Sequence, residues 1–403
     1  MLPNRCTEAQ PAHMLLLAVG ASKRVRLLQA ARSQLGLPPA ELIEWRDYLA
    51  QPSLLEAALA RKYSCHQPCY CKIEPPGEDP VAHQRLLQDG CEILQRPALP
   101  PLEYGQLLAA DVWFAGFTAA LQRVAQQLAQ LPENALRVFN APQELLLMAD
   151  KLACQQHFAA REIATPLLLG LVTGYEHLQQ LLAEHQLDRV YLKPRYGSSA
   201  AGVVAYRRSQ GGSQQALREQ AISSTQLLRG ETEQDGHVRL FNCKRMSCYE
   251  TKKEIALLVD ALAAQQLYAE SWISKPRYGQ AHFDFRVLTL GGRAAHRVAR
   301  IGAHTVTNLH LDNQRGDVAS LLDACDIVAL EQCAAAAAAC FPASHVIGLD
   351  VVLKAGRARV LEANGFGDLL PGLLWQGDDS YAAQMRSFSR SSTPATSANP
   401  ANP

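Results

Sequence analysis

The chain has 403 residues, 48% of them apolar and 19% charged, enough for two or three packed units of an ordinary globular protein rather than one core. A formal charge of +1 gives no field for nucleic acid or an anionic membrane, so the expected partners are small-molecule or peptide substrates, with a homo-oligomer left open. No stretch approaches ~18 uninterrupted apolar residues, which argues against a spanning helix, and eleven scattered cysteines fit a reducing, cytoplasmic setting better than a disulfide framework.

Residues 1–13 carry no periodic pattern, and Met14 stands just before the first strand, so either Met1 or Met14 is compatible with the start of translation. The apolar run Met14–Ala21 is followed by Lys23-Arg24-Val25-Arg26, where a signal peptide would have its cleavage site, which argues against one. Met14–Val19 reads as a buried strand, Gly20-Ala21-Ser22 as a turn and Lys23–Gln34 as a helix ending near Gly36. This is the βα opening of an α/β layer, but neither G-x-G-x-x-G here nor G-x-x-x-x-G-K-[ST] anywhere supports a dinucleotide or P-loop site.

A helical stretch follows Pro52 to about Arg61. Cys65, His66, Cys69 and Cys71 come next, with Cys91 beyond; their spacing does not match structural zinc knuckles, and the plainer reading is loop thiols. Lys72–Asp79 (KIEPPGED) reads as a rigid turn at a helix start, where Glu78 and Asp79 can serve the helix N-terminus in place of an anionic ligand. Leu102–Leu131 is a long helical region, broken near Gly116, that closes a first domain of residues 1–135.

The pattern then restarts. Arg137–Asn140 is a short strand, and Asn140, with Pro142 and Gln143 after it, is expected to cap a helix running to about Ala160 and carrying Asp150-Lys151. Leu167–Val172 is a strand, and Thr173–Glu176 a capping box for a helix through Glu184. The strand Arg189–Lys193 enters the loop Lys193-Pro194-Arg195-Tyr196-Gly197-Ser198-Ser199-Ala200-Ala201-Gly202, and Val203–Arg207 leaves it. Such a loop lets backbone N–H groups approach phosphate oxygens, or is a plain flexible hairpin. Gln210–Gln214 and Glu231–Gly236 read as surface excursions around short strands, the last ending near Lys244-Arg245.

Thr251–Glu254 is a capping box opening a helix to about Gln266, followed by the strand Leu267–Ile273. Asp284–Leu290 alternates as a strand with Asp284 and Arg286 on one face, turns at Gly291-Gly292 and returns as Arg293–Arg300. Asn308 and Arg315 follow in a loop. Ser320–Cys340 is an alanine-rich helix, Gly372–Arg386 a last helical segment and Ser387–Pro403 a disordered tail.

Between the last two helices lies VIGLDVVLKAGRARVLEANGFGD, residues Val346–Asp368. Two apolar runs, Val346–Leu353 and Ala358–Ala363, flank Lys354-Ala355-Gly356-Arg357, the pattern of a β-hairpin. Asp350 and Glu362 are equidistant from Gly356, so folding there brings them side by side, with Asn364 on the face of Glu362. Two carboxylates and an amide oxygen suit a hard cation such as Mg²⁺; an amphipathic edge hairpin with its acids in water is the alternative, and the hairpin alone does not decide.

In order, Ala149-Asp150-Lys151, Lys193-Pro194 with its Gly/Ser loop, Ala269–Ile273, Asp284-Phe285-Arg286, Thr307–His310, Gly348-Leu349-Asp350 and Glu362-Ala363-Asn364 resemble the ATP-grasp superfamily, in its RimK-like and glutathione-synthetase-like ligase branch. The resemblance covers about Val138 to Asp368 and implies an α/β (α+β) protein: an N-terminal pre-ATP-grasp domain, then a two-subdomain ATP-grasp fold over 136–386 with a lid subdomain at about 165–245, and a tail at 387–403. It implies that Lys151 and Lys193 contact ATP phosphates, that Arg195, Gly197, Ser198, Ser199 and Gly202 belong to a mobile loop over the nucleotide, and that Glu270, Ser271 and Ile273 line the adenine slot, with Asn308 also at the nucleotide. Asp350, Glu362 and Asn364 would hold Mg²⁺ or Mn²⁺. Arg300, with Arg286 on the same wall, looks like the basic residue facing the transferred phosphoryl group; Arg297, at odd separation from Arg300 on one strand, points the other way if Arg300 does so.

The implied activity is an ADP-forming carboxylate–amine or carboxylate–thiol ligase, the alternative an ATP- and Mg²⁺-binding regulatory or scaffold protein. The sequence departs from the resemblance after Asn364: Gly365-Phe366-Gly367-Asp368 replaces the small-residue-then-proline continuation, and Phe366 is expected to reshape the acceptor pocket.

Overall fold

The computed structural model describes residues 13–64, 69–132, 135–197, 200–209, 218–229, 238–304, 313–367 and 370–390. The first part is built from β1 (His13–Ala18), α1 (Lys23–Gln34), β2 (Glu41–Glu44), α2 (Trp45–Ala50), α3 (Ser53–Ser64), β3 (Cys69–Ile73), α4 (Pro80–Ile93), α5 (Ala110–Leu128) and β4 (Leu136–Val138). Its sheet is parallel throughout, in the order β2-β1-β3-β4. Helices on both faces leave β1 an almost continuous buried apolar run. Ser22 caps α1 by accepting from the Val25 N–H, and Asp79 caps α4, with Pro80 in the first turn, so the acid of the KIEPPGED stretch serves the helix itself.

Three expectations for this part change. Cys69 and Cys71 are not loop thiols but buried residues of β3, where burial lifts the thiols to about 11 and about 12; Cys65 and His66 lie outside the described residues. The long helix begins at Ala110 rather than Leu102 and runs unbroken through Gly116. A Cβ at Gly116 would lie 2.0 Å from the Leu86 carbonyl oxygen and one at Gly90 1.9 Å from that of Val112, so both glycines are there for the close crossing of α4 and α5. β4, expected to open the second unit, instead hydrogen-bonds to β3 and completes the first sheet, which therefore extends beyond residue 135.

Next come α6 (Pro142–Ala149), α7 (Lys151–Ala159), β5 (Leu168–Val172), α8 (Tyr175–Glu184), β6 (Arg189–Pro194), β7 (Val204–Ser209), β8 (Arg218–Arg229), β9 (Val238–Tyr249), α9 (Lys252–Ala263) and β10 (Leu267–Ser271). The strands form an antiparallel sheet in the order β5-β10-β6-β7-β8-β9, with α8 and α9 packed on one face. The single helix expected over 140–160 is two, because Asp150 leaves helical geometry and caps α7 through the Ala153 N–H. Asn140 is no cap: its amide donates to the carbonyls of Val346 at 2.7 Å and Gly365 at 2.5 Å. Thr173 forms no capping box; Asp260 of α9 accepts from the Tyr175 N–H at 2.7 Å instead. Thr251 does cap α9. Strands β8 and β9 are long rather than short, 12 residues each, and α9 with β10 carries this unit past residue 245 to Ser271. The excursions at 210–214 and 231–236 lie outside the described residues. A strap from the first part pairs with the outer edge of β9, Leu107 N–H to Leu240 O and Asn242 N–H to Gly105 O, both 2.8 Å.

The third sheet is formed by β11 (Arg277–Tyr278), β12 (Ala281–Leu290), β13 (Arg293–Gly302), β14 (Gln314–Gly316), β15 (Val346–Lys354) and β16 (Arg357–Asn364), in the order β14-β13-β12-β15-β16 with β11 on β12. One face buries α10 (Ala324–Ala338), whose alanines allow close approach, together with Phe158 of α7. The other shares a core with β1, α1 and the last helix, α11 (Ser380–Arg390). Phe388 is buried in that core, so residues 387–390 belong to the helix and not to a tail; 391–403 lie outside the described residues.

Candidate active site

The site is built on β15 and β16. Their turn is Ala355-Gly356, both at positive φ (50° and 71°), the mirror-image turn that matches strand twist. From it the register runs Lys354↔Arg357, Leu353↔Ala358, Val352↔Arg359, Val351↔Val360, which continued regularly would set Leu361 opposite Asp350. A bulge intervenes, and Asp350 pairs with Glu362 and Gly348 with Asn364. The carboxylates are therefore side by side, as the sequence suggested, but through a bulge and not through symmetry about Gly356.

On β12, Arg286 lies opposite Asp350, and Asp284 opposite Arg300 of β13. A continuous ion-paired row results. Lys275 Nζ donates to Asp284 Oδ2 at 2.7 Å and Arg300 Nε to Asp284 Oδ1 at 2.7 Å. Arg300 Nη1 lies 3.0 Å from Asp350 Oδ2, while Arg286 Nε donates to Asp350 Oδ1. Burial alone would raise the Asp350 pKa, but the guanidiniums of Arg286 and Arg300 hold it at about 2. For Arg300, burial pulls the pKa down and the carboxylates of Asp284 and Asp350 more than restore it. Arg297 points to the opposite face and pairs with Glu331 of α10, so on this strand Arg300 is the one that lies on the face of Asp284 and Asp350.

The facing wall comes from the second sheet. Lys193 Nζ lies 2.5 Å from Glu270 Oε1, and Glu270 Oε2 is buried without a partner. Burial pushes the Glu270 pKa up, with Lys193 opposing it. Lys151, at the start of α7, spans the gap: its Nζ is 3.0 Å from Glu362 Oε1 and donates to the Gly197 carbonyl at 2.5 Å. Met148, Lys151, Cys154, Lys193, Tyr268 and Glu362 are among the residues lining a narrow crevice between the two sheets.

Not every residue named from sequence opens onto this crevice. The Arg195 guanidinium forks on Asp150, Nε to Oδ1 at 2.8 Å and Nη2 to Oδ2 at 2.6 Å, and braces the junction of β6 and α7. Its neighbour Tyr196 stacks on Phe114 of α5 at 4.1 Å between centroids. Gly197 and Gly202 have positive φ (118° and 75°), and a Cβ at Gly202 would meet the Pro194 ring at 2.4 Å. Ser271 Oγ accepts from the Leu167 N–H, closing the sheet edge, and Ile273 is half-buried just after β10. Asn364 Oδ1 accepts from the Phe366 N–H at 3.0 Å. Phe366 packs on the first-sheet core, and its carbonyl is held by Arg24 at 2.9 Å. Ser198, Ser199 and Asn308 lie outside the described residues. Sequence reading missed Lys275 and Tyr268 as parts of the site; Lys275 belongs to the connection after β10, where no periodicity marks it.

Among the described residues there is no group of three or more His, Cys, Asp or Glu side chains able to hold a metal. The available donor set is Asp350, Glu362 and the Asn364 amide, oxygen only, which is compatible with a hard divalent cation. No helix among the described residues is long and apolar enough to cross a membrane.

No family model and no curated protein matches the sequence. Solved structures do match. ATP-grasp ligase PsnB complexed with minimal precursor superposes with a TM-score of 0.51 at 11% identity, over 95% of this chain and 99% of that one. Carboxyaminoimidazole ribonucleotide synthase from Aspergillus clavatus complexed with ATP gives a TM-score of 0.51 at 11% identity, over 95% of this chain and 78% of that one. The chain has the ATP-grasp fold. The row Lys275–Asp284–Arg300–Asp350–Arg286 belongs to the third-sheet side and the pair Lys193–Glu270 to the second sheet, with Lys151 reaching Glu362 beside the row.

Proposed function

We propose that this chain is an ADP-forming, metal-dependent carboxylate–amine or carboxylate–thiol ligase of the RimK-like or glutathione-synthetase-like kind, acting through an acyl phosphate. The observation that carries the reading is the meeting of Asp350 and Glu362 with Arg286, Arg300 and Lys151 in one crevice of the ATP-grasp fold. A carboxylate is a poor acyl donor until phosphorylation gives it a leaving group, and that step needs cations aimed at the transferring phosphoryl. Arg300 and Arg286, rigidly paired on adjacent strands, meet that need without reorganising. Lys151 and Lys193 take the nucleotide's phosphates, and Glu270, Ser271 and Ile273 flank the base. The unpartnered Glu270 Oε2 is an acceptor for a donor on the incoming nucleotide.

Asp350, Glu362 and Asn364 would hold Mg²⁺ or Mn²⁺, which when bound neutralises charge on the β- and γ-phosphates. Arg195 acts here as a brace that keeps Asp150 and α7 in register with β6. PsnB is described with a bound precursor, which supports peptide carboxylates, beside free small acids, among the candidate substrates. The test is ADP and phosphate release with panels of carboxylates and amines or thiols. Tight ATP binding with no turnover on any of them would instead favour a nucleotide-binding regulatory protein.

A further inference from the structure

The acidic groups that would receive a metal are each already held by a fixed cation. Asp350 is gripped on one oxygen by Arg286 and on the other by Arg300, and Glu362 by Lys151 at 3.0 Å. These holds differ in kind. The arginines come from neighbouring strands of the same sheet and cannot move apart from it. Lys151 reaches across the crevice on a flexible stem, and its Nζ also holds the Gly197 carbonyl of the loop after β6 at 2.5 Å. Lys275, bonded to Asp284 at 2.7 Å beside Arg300, adds further positive charge to the same wall. A bare divalent cation entering here would have to displace one cation while facing three others, and only a polyanion arriving with it could reverse that repulsion.

We propose that Lys151 is a specificity-determining residue that makes the site take a metal–nucleotide complex and refuse the metal alone. In the structure its ammonium is paired with Glu362. When phosphate oxygens arrive, the ammonium exchanges Glu362 for phosphate, which frees Glu362 for the metal and lets go of the Gly197 carbonyl. One side chain thereby couples two events: phosphate entry and exposure of a metal ligand. The inference rests on the nucleotide reading above.

The experiment titrates the full chain with Mn²⁺ and follows the free-ion EPR signal, with and without a non-hydrolysable ATP analogue held fully bound by excess protein, and the Mn²⁺ taken up by the analogue alone is subtracted. The wild type is expected to bind Mn²⁺ alone more weakly than about 1 mM and at least about tenfold more tightly with the analogue. Lys151→Met is expected to bind Mn²⁺ alone about tenfold better than wild type while binding the analogue less well, a gain that Lys151→Arg does not show and that Glu362→Gln added to Lys151→Met removes. Equal Mn²⁺ affinity of the wild type with and without bound analogue would overturn the proposal, as would Mn²⁺ affinity of Lys151→Met within about twofold of wild type. Failure of the wild type to bind the analogue at all would instead sink the nucleotide reading, and the metal-alone comparison of the variants would still judge Lys151.

Discussion

Glu362 stands opposite Asp350 only because the β15–β16 ladder slips by one residue between Val351 and Asp350. Residues directly opposite in an antiparallel pair share a face, and a one-residue slip exchanges the faces of everything beyond it. Without the bulge Leu361, and not Glu362, would stand opposite Asp350.

The turn that begins this ladder leaves room for improvement. Ala355 is held at a φ of 50°, which an L-residue other than Asn, Asp or Gly adopts at a cost of about 1 kcal/mol. Ala355→Asn is expected to stabilise the protein by about that amount, read as a rise in denaturation midpoint at constant m-value, with the Asp350–Glu362 pairing unchanged. No rise would mean that the turn is not strained in this way.

Asp350 should make stability fall in acid. Its folded-state pKa of about 2 lies below the ordinary 3.8, so its contribution is complete above that ordinary value and disappears as pH falls from there toward 2. The difference amounts to about 2 kcal/mol. In Asp350→Asn the buried guanidinium of Arg300 and the half-buried one of Arg286 lose their shared counter-charge, which should cost about 3–5 kcal/mol at neutral pH and flatten the acid limb. Denaturation curves from about pH 5 to about pH 2 check both; a variant as stable as wild type would refute the burial of the pair. Turnover should fall about a hundredfold or more, since an aligned electrostatic group is lost.

Lys193 and Glu270 form a buried pair whose partners are unequal in need. The Glu270 pKa is raised, chiefly by burial, so the folded state disfavours its charge above its ordinary 4.5 and the penalty vanishes below it. Lys193→Met removes the main opposing partner, with Lys275 the weaker one, and should destabilise by about 3–5 kcal/mol at neutral pH, less in mild acid. Adding Glu270→Met should recover most of the loss. A double variant no better than the single one would count against this account.

Gly116→Ala puts two rules in opposition. Helix propensity favours alanine by about 1 kcal/mol, whereas a Cβ placed 2.0 Å from the Leu86 carbonyl oxygen forces α4 and α5 apart. Overpacking of this kind costs about 1–3 kcal/mol and should win. A gain in stability on urea denaturation would show that the helices separate freely.

Local signals carried much of the chain. Thr251 before α9 is a cap recognisable from residue type and acts as such, while Ser22, read only as part of a turn, caps α1. Asn140 and Thr173 carry the same signal and do not cap, because tertiary partners outbid them: the carbonyls of Val346 and Gly365 for the first, Asp260 in place of the second. Gly116 looked like a helix break because propensity is local, while the reason for the glycine is a second helix brought to it by folding.

The sequence by itself determined many of the strands and helices, the βα opening and the order of the charged residues that resemble the ATP-grasp ligases, because periodicity and capping are written in neighbours a few positions apart. Only the tertiary structure decided that β4 closes the first sheet, that Arg195 braces Asp150 instead of facing the crevice, that Phe366 packs into the first core, and that Lys275 joins the row at Asp284. Those are matters of strand register and of side chains brought together from distant segments. A single bulge is enough to choose which face a carboxylate serves.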